Sequence, residues 1–263
     1  MNDLERYFRQ NDKRLIHKWA HYFDIYDSHF SRFRNKEVTI LEIGVSQGGS
    51  LQMWKNYFGD KAKIYGVDIN PYCKQLEEEN IEIFIGSQED RNFLRTIKSK
   101  IPQVDILIDD GGHTMQQQIV TFEELFDMVK PDGVYLCEDL HTSYWLTYGG
   151  GHKRHGSFIE YSKNFIDYIN AWHSEQRSLQ VNDFTRSVNS LHYYDSILVV
   201  EKKKMKPPVN EKSGHISFKV PGKELGFYGK VMRRLKLKNR FYGVINGILR
   251  FFRLRGFSWE YRN

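Results

Sequence analysis

Residues 38–50 read V-T-I-L-E-I-G-V-S-Q-G-G-S. The β-branched and apolar run of Val38, Ile40, Leu41 and Ile43 predicts a buried strand. The run ends on Glu42 and Gly44, the chain turns through Gly48 and Gly49, and Ser50 is placed to cap a helix over Leu51–Tyr57. A strand, a glycine turn and a helix start form a cradle for a small ligand. Backbone can approach closely there, and N–H groups point outward.

The rest of the chain repeats the pattern. Strands are expected at Ile64–Val67 with Asp68 at its end, at Ile81–Ile85 before Gly86-Ser87-Gln88, and at Asp105–Ile108 before D-D-G-G-H. Two more are expected at Val134–Cys137, running into Glu138-Asp139, and at Ile197–Val200. Met115–Val129 and Phe158–Trp172 read as helices. A single N-terminal helix over Leu4–Tyr26 is expected from the spacing of Leu15, Trp19, Tyr22, Phe23 and Tyr26. Strands alternating with helices predict an α/β fold with a Rossmann-like, doubly wound, mostly parallel sheet. In such sheets ligands bind beyond the carboxyl ends of the strands. Glu42, Asp68, Gln88, Asp109, Asp110, His113, Glu138 and Asp139 all fall there. Five loops converging on one edge argue more strongly than any single motif.

The residue types suggest roles, each with a plainer alternative. Asp68 suits a ribose diol, or is a solvated acid at a strand end. Gln88 faces an adenine edge or solvent. Asp109, Asp110, Glu138 and Asp139 on adjacent strand ends would repel one another unless a cation or protons intervened. Oxygen-only ligands favour a hard ion such as Mg2+, with helix capping by Asp110 and Asp139 as the alternative. His113 can act as a base near neutral pH. His141, Tyr144 and Trp145 either line a substrate pocket, where aromatic faces suit sugars, or pack in the core.

I-L-E-I-G-V-S-Q-G-G-S, I-Y-G-V-D-I, G-S-Q-E-D, I-D-D-G-G-H and C-E-D-L-H-T-S-Y-W together resemble the class I S-adenosylmethionine-dependent O-methyltransferases. The closest likeness is to the metal-dependent branch that methylates sugar hydroxyls in macrolide tailoring. The resemblance spans about residues 37–201. It implies S-adenosylmethionine and Mg2+ as cofactors and a sugar-containing acceptor. By position it implies His113 as general base and Asp110, Glu138 and Asp139 as metal ligands. Glu42, Gly44, Ser50, Asp68, Gln88 and Asp109 then form the cofactor cradle. Gly112 stands where a serine is common before the histidine. The rival classes are an NAD-dependent oxidoreductase and a non-catalytic scaffold. The first would want G-x-G-x-x-G, but Ser46 stands where its second glycine belongs.

Charge divides the chain. Residues 202–263 carry 17 Lys and Arg against three acids, leaving 22 basic and 30 acidic residues for the first 201. Three parts are expected: an N-terminal helical extension (1–36), the sheet domain (37–201) and a basic amphipathic extension (202–263). The last part suits an anionic membrane surface or an acidic partner. No recognition motif points to nucleic acid. A homo-oligomer contact through the N-terminal aromatics is a further expectation. Two cysteines form no disulfide framework, and no secretory signal is read at the N-terminus. The expected location is therefore cytoplasmic, with peripheral association at the inner membrane face as an extension of it.

Overall fold

The computed structural model describes residues 1–218 and Ile248. Its sheet has seven strands: β1 (Thr39–Ile43), β2 (Lys63–Asp68), β3 (Ile81–Ile85), β4 (Val104–Asp109), β5 (Val129–Cys137), β6 (Val188–Tyr194) and β7 (Ile197–Lys202). Their order is β3-β2-β1-β4-β5-β7-β6. β1 to β5 run parallel, and β7 is antiparallel to both β5 and β6. The strand order reverses between β1 and β4, which puts the ligand crevice of such a sheet beyond Ile43 and Asp109.

Eight helices accompany the strands among the described residues: α1 (Asp3–Gln10), α2 (Tyr22–Phe30), α3 (Gly49–Phe58), α4 (Arg91–Lys100), α5 (Met115–Leu125), α6 (Phe158–Ser162), α7 (Asn164–Ile169) and α8 (Asp183–Ser187). Side chains alternate across each strand. Ile40, Ile64, Ile106, Ile108, Leu136 and Val199 therefore meet Tyr22, Tyr26, Phe30, Trp54 and Phe58 on one face. Leu41, Ile43, Leu107, Tyr135 and Leu198 meet Leu94, Val120, Leu125 and Phe165 on the other. With both faces covered, the central strands read as continuous apolar runs, as their sequences do.

The N-terminal residues fold differently from expectation. The helical spacing of 4–26 is broken into α1 and α2, with an extended strap at 11–21 between them. Asn11 starts the strap: its side chain donates to the Arg14 carbonyl at 2.8 Å and accepts from the Lys13 N–H at 3.2 Å. Arg14 then reaches the Leu76 carbonyl at 2.9 Å. Leu15 and Trp19, expected on an apolar helix face, are 67% and 55% exposed. Local turn chemistry and long-range polar contacts outweigh the periodicity here. Leu4, Tyr22, Phe23, Tyr26 and Phe30 nonetheless join the core of the sheet.

Two further differences are smaller. Phe158–Trp172 is two short helices and a turn rather than one helix. β6 was not expected, because V-N-S-L-H-Y-Y on the sheet edge lacks a continuous apolar run. Residues 1–207 form one compact unit, and a second begins at Pro208. The expected amphipathic stretch Phe227–Phe252 lies, Ile248 apart, outside the described residues. Among the described residues no helix is long and apolar enough to cross a membrane.

Candidate active site

The glycine turn after β1 is shaped by two close approaches. Gly44 has φ +96°, and a Cβ on it would stand 2.0 Å from the Asp110 carbonyl oxygen. Only glycine lets β1 and the β4 loop come this close. Gly49 faces the strap, where a Cβ would stand 2.3 Å from the Leu15 carbonyl oxygen. The helix cap is Gly48, at φ +73°. Ser50, expected as the cap, instead sits inside α3 and donates its hydroxyl to Glu42 at 2.9 Å.

Asp68 closes the turn from the end of β2. One of its oxygens accepts the N–H groups of Val45 and Ser46 at 2.9 and 2.8 Å, and the other accepts that of Asn70 at 2.8 Å. These residues border a cleft of about 220 Å³, lined by Gly44, Ser46, Asp68, Gln88, Gly111 and Gln117 among others. Gln88 is buried at its floor. It donates to Asp109 and Thr121, both at 3.1 Å, and accepts the Gly112 N–H at 2.7 Å. Asp109 was expected in the cradle but does not border the cleft. It lies beneath, on the α4–α5 face, where burial pushes its carboxyl up to about 8.

Strand alternation sends Glu42, Asp110 and Glu138 to the opposite face, the one covered by α1 to α3. All three converge on the Lys18 ammonium of the strap. Lys18 Nζ donates to Asp110 at 2.5 Å and to Glu138 at 2.8 and 2.9 Å, and stands 4.0 Å from Glu42. Its side chain is only 3% exposed. Burial opposes its charge, but Asp110, Glu138 and Glu42 outweigh that and hold it above the ordinary lysine value. Burial raises Glu138 well above the usual carboxylate range. It pushes Glu42 up to about 7, although Lys18 pulls the other way.

Asp139 adopts the left-handed region at φ +55°, which turns its carboxylate into the same hollow. It accepts from Tyr22 OH at 2.7 Å and stands 3.4 Å from His113 Nε2. Asp110 lies 3.8 Å from the same nitrogen. Asp110, His113 and Asp139 each offer a donor atom, all within 4.8 Å of one another. Burial holds the His113 imidazole below its ordinary value, so the ring is neutral at pH 7. A second cavity of about 220 Å³ is lined by Lys18, His113, Asp139 and Ser50. It shares Gly44, Ser46, Asp110 and Gly111 with the cleft, so the two hollows adjoin across these residues.

His141, Tyr144 and Trp145 line neither of these cavities, but His141 Nδ1 stands 3.9 Å from Asp139. His141 Nδ1 meets Ser196 Oγ at 2.5 Å, and its ring is edge-on to Trp145 and Trp19. Tyr144 and Trp145 are about half exposed rather than in the core. With His141, Tyr144 borders an open groove of about 390 Å³ that also includes Ile166 and Tyr193. Lys18 and Tyr22 are the site residues that reading by position missed. Both sit in an apparent amphipathic helix, and only the converging acids hinted at a cation.

Residues 41–140 match a family model described as a methyltransferase domain. The chain is 35% identical over 206 residues to the 8-demethyl-8-alpha-L-rhamnosyl tetracenomycin-C 2'-O-methyltransferase of Streptomyces olivaceus, covering 73% of this chain and 52% of that protein. It is 37% identical over 192 residues to the mycinamicin VI 2''-O-methyltransferase of Micromonospora griseorubida, covering 67% and 47%. Among solved structures it superposes on the MycE methyltransferase of the mycinamycin biosynthetic pathway, in complex with Mg and SAH, with a TM-score of 0.67 and 32% identity. That match covers 77% of this chain and 54% of the other. The chain thus spans about half the length of the relatives it matches. With its sheet order, glycine turn and matched domain, the chain has the class I methyltransferase fold and carries a methyltransferase domain similar to those of the macrolide-sugar O-methyltransferases named above.

Proposed function

We propose that the chain transfers a methyl group from S-adenosylmethionine to a sugar hydroxyl of a glycosylated natural product, with Mg2+ on its acid cluster. One observation carries this reading: the glycine-turn cleft and the hollow lined by Asp110, His113 and Asp139 adjoin, with Gly44, Ser46, Asp110 and Gly111 bordering both. The relatives named as sugar O-methyltransferases, and the MycE complex with Mg and SAH, support it.

The donor set suits both groups. The cleft offers two N–H groups fixed by Asp68 and a backbone approach that a Cβ at Gly44 would close. The hollow gathers oxygens from Asp110, Glu138 and Asp139 around a point where a cation, the Lys18 ammonium, already sits beside the first two. S-adenosylmethionine supplies an electrophilic methyl, and a divalent ion on Asp110, Glu138 and Asp139 makes a sugar hydroxyl more acidic. His113 Nε2, neutral by burial, takes the hydroxyl proton as the oxygen attacks. Asp139, 3.4 Å from that nitrogen, favours the imidazolium once the proton has arrived, and Asp68 and Gln88 shape the donor cleft. Orientation of this kind is worth about 7–11 kcal/mol of barrier. His141, Tyr144 and Trp145 form the rim offered to the acceptor.

The test is labelled methyl uptake from S-adenosylmethionine by a panel of glycosylated metabolites, nucleotide sugars and glycolipids, with and without EDTA. Uptake by a glycoside, lost on chelation and restored by Mg2+, is the expected result. Uptake indifferent to chelation removes the ion from the mechanism, and reduction of NAD in place of methyl transfer overturns the reading. The basic residues 202–263 are proposed to meet an anionic surface. Vesicle sedimentation that does not depend on anionic lipid would end that part of the proposal.

A further inference from the structure

Lys18 belongs to the strap, not to the sheet that positions the acids. Its ammonium sits among oxygens from three different strand ends, and nothing else among the described residues neutralises Glu138. A divalent ion held by Asp110 and Glu138 needs the same oxygens, and two cations cannot share them at contact distance.

The strap is built to release. Between α1 and α2 only Ile16 is buried among its apolar residues, while Leu15 and Trp19 face outward. Its fixed points are polar: Arg14 to the Leu76 carbonyl, Lys18 to the acids, and Tyr22 to Asp139 just beyond it. Segments with few buried apolar contacts open at low cost. The strap also roofs the second cavity, since Leu15, Ile16, His17 and Lys18 form one wall of it.

We propose that Lys18 is a tethered counter-ion of the carboxylate site, exchanged for the divalent ion on loading, so that metal entry frees residues 11–21 and opens the cavity. This rests on the reading of the acids as a divalent site. Lys18 acts here as a positioning residue. It holds Asp110 and Glu138 aimed at one point while no ion is bound, and it scales apparent metal affinity by the fraction of chains whose strap is open.

The experiment uses the full chain and Mn2+, followed by electron paramagnetic resonance, alongside hydrogen exchange of residues 11–21. Lys18→Met is expected to bind Mn2+ about tenfold more tightly than the unaltered chain. Amides of 11–21 in the unaltered chain should lose protection in step with Mn2+ occupancy. If the unaltered chain binds Mn2+ and Lys18→Met binds it equally or more weakly, Lys18 is no competitor and the proposal fails while the divalent reading stands. If neither protein binds Mn2+, the divalent reading fails as well. Should Lys18→Met not fold, the exchange measurement decides alone, and protection unchanged at saturating Mn2+ overturns the proposal.

Discussion

Asp109 and Asp110 are neighbours of identical chemistry, yet they answer to opposite faces of the sheet. Asp109 turns toward Gln88 beneath the cleft, and Asp110 toward Lys18 and His113. Their amide variants should therefore differ. Asp109 is pushed up to about 8 and is mostly protonated at neutral pH, so Asp109→Asn should cost no more than about 1 kcal/mol of stability and leave Mn2+ binding unchanged. Asp110→Asn should weaken Mn2+ binding about 10- to 100-fold. Equal effects in a Mn2+ titration would show that the alternation does not sort the two roles. His113 gives a second prediction. Its folded value lies below the ordinary histidine value, so the folded chain binds fewer protons than the unfolded one as pH falls through about 6.5. The base form therefore survives to lower pH, and the acid limb of kcat should lie below about pH 6.5. A limb above pH 7 would mean that another group takes the proton. Most of these residues were legible from their place after strand ends. The face each would choose was legible only in principle, because a one-residue error in a strand end exchanges the two faces.

At the scale of elements, the five parallel strands were legible because strands buried on both faces have no polar alternation to confuse them. The edge strand β6 and the strap were not. β6 mixes Val188 and Leu191 with polar residues and shows no continuous apolar run, and its edge place is fixed by pairing with β7. The strap carries a helical pattern that loses to the Asn11 turn and to Arg14 and Lys18, whose hydrogen-bond partners lie at least 62 positions away. The β6–β7 edge is fastened to α2 through Glu201. This carboxylate accepts from Arg32 at 2.5 Å, meets His29 Nδ1 at 2.6 Å, and is held near 2 although burial alone would raise it. A carboxylate depressed in the folded state stabilises above its unfolded value and loses that contribution as pH falls through its folded one. Glu201 should thus contribute on the order of 2 kcal/mol at neutral pH, declining from about pH 4.5 toward pH 2. Urea unfolding of Glu201→Gln should show lower stability at pH 7 and a flatter acid limb. An unchanged limb would detach this ion pair from acid stability.

At the scale of the molecule, the sheet brings acids from the ends of β1, β4 and β5 together beside the glycine turn that follows β1, and the N-terminal strap supplies the cation those acids hold. The account stands on those carboxylates being a divalent site beside the methyl donor. An anomalous-difference map from crystals of the full chain grown with Mn2+ and S-adenosylhomocysteine tests this most directly. The account predicts a single strong peak among Asp110, Glu138 and Asp139, next to a donor lying along the Gly44–Asp68 cleft, with the Lys18 ammonium withdrawn. Donor density in the cleft with no peak among these acids, and Lys18 still seated on Asp110 and Glu138, would contradict it.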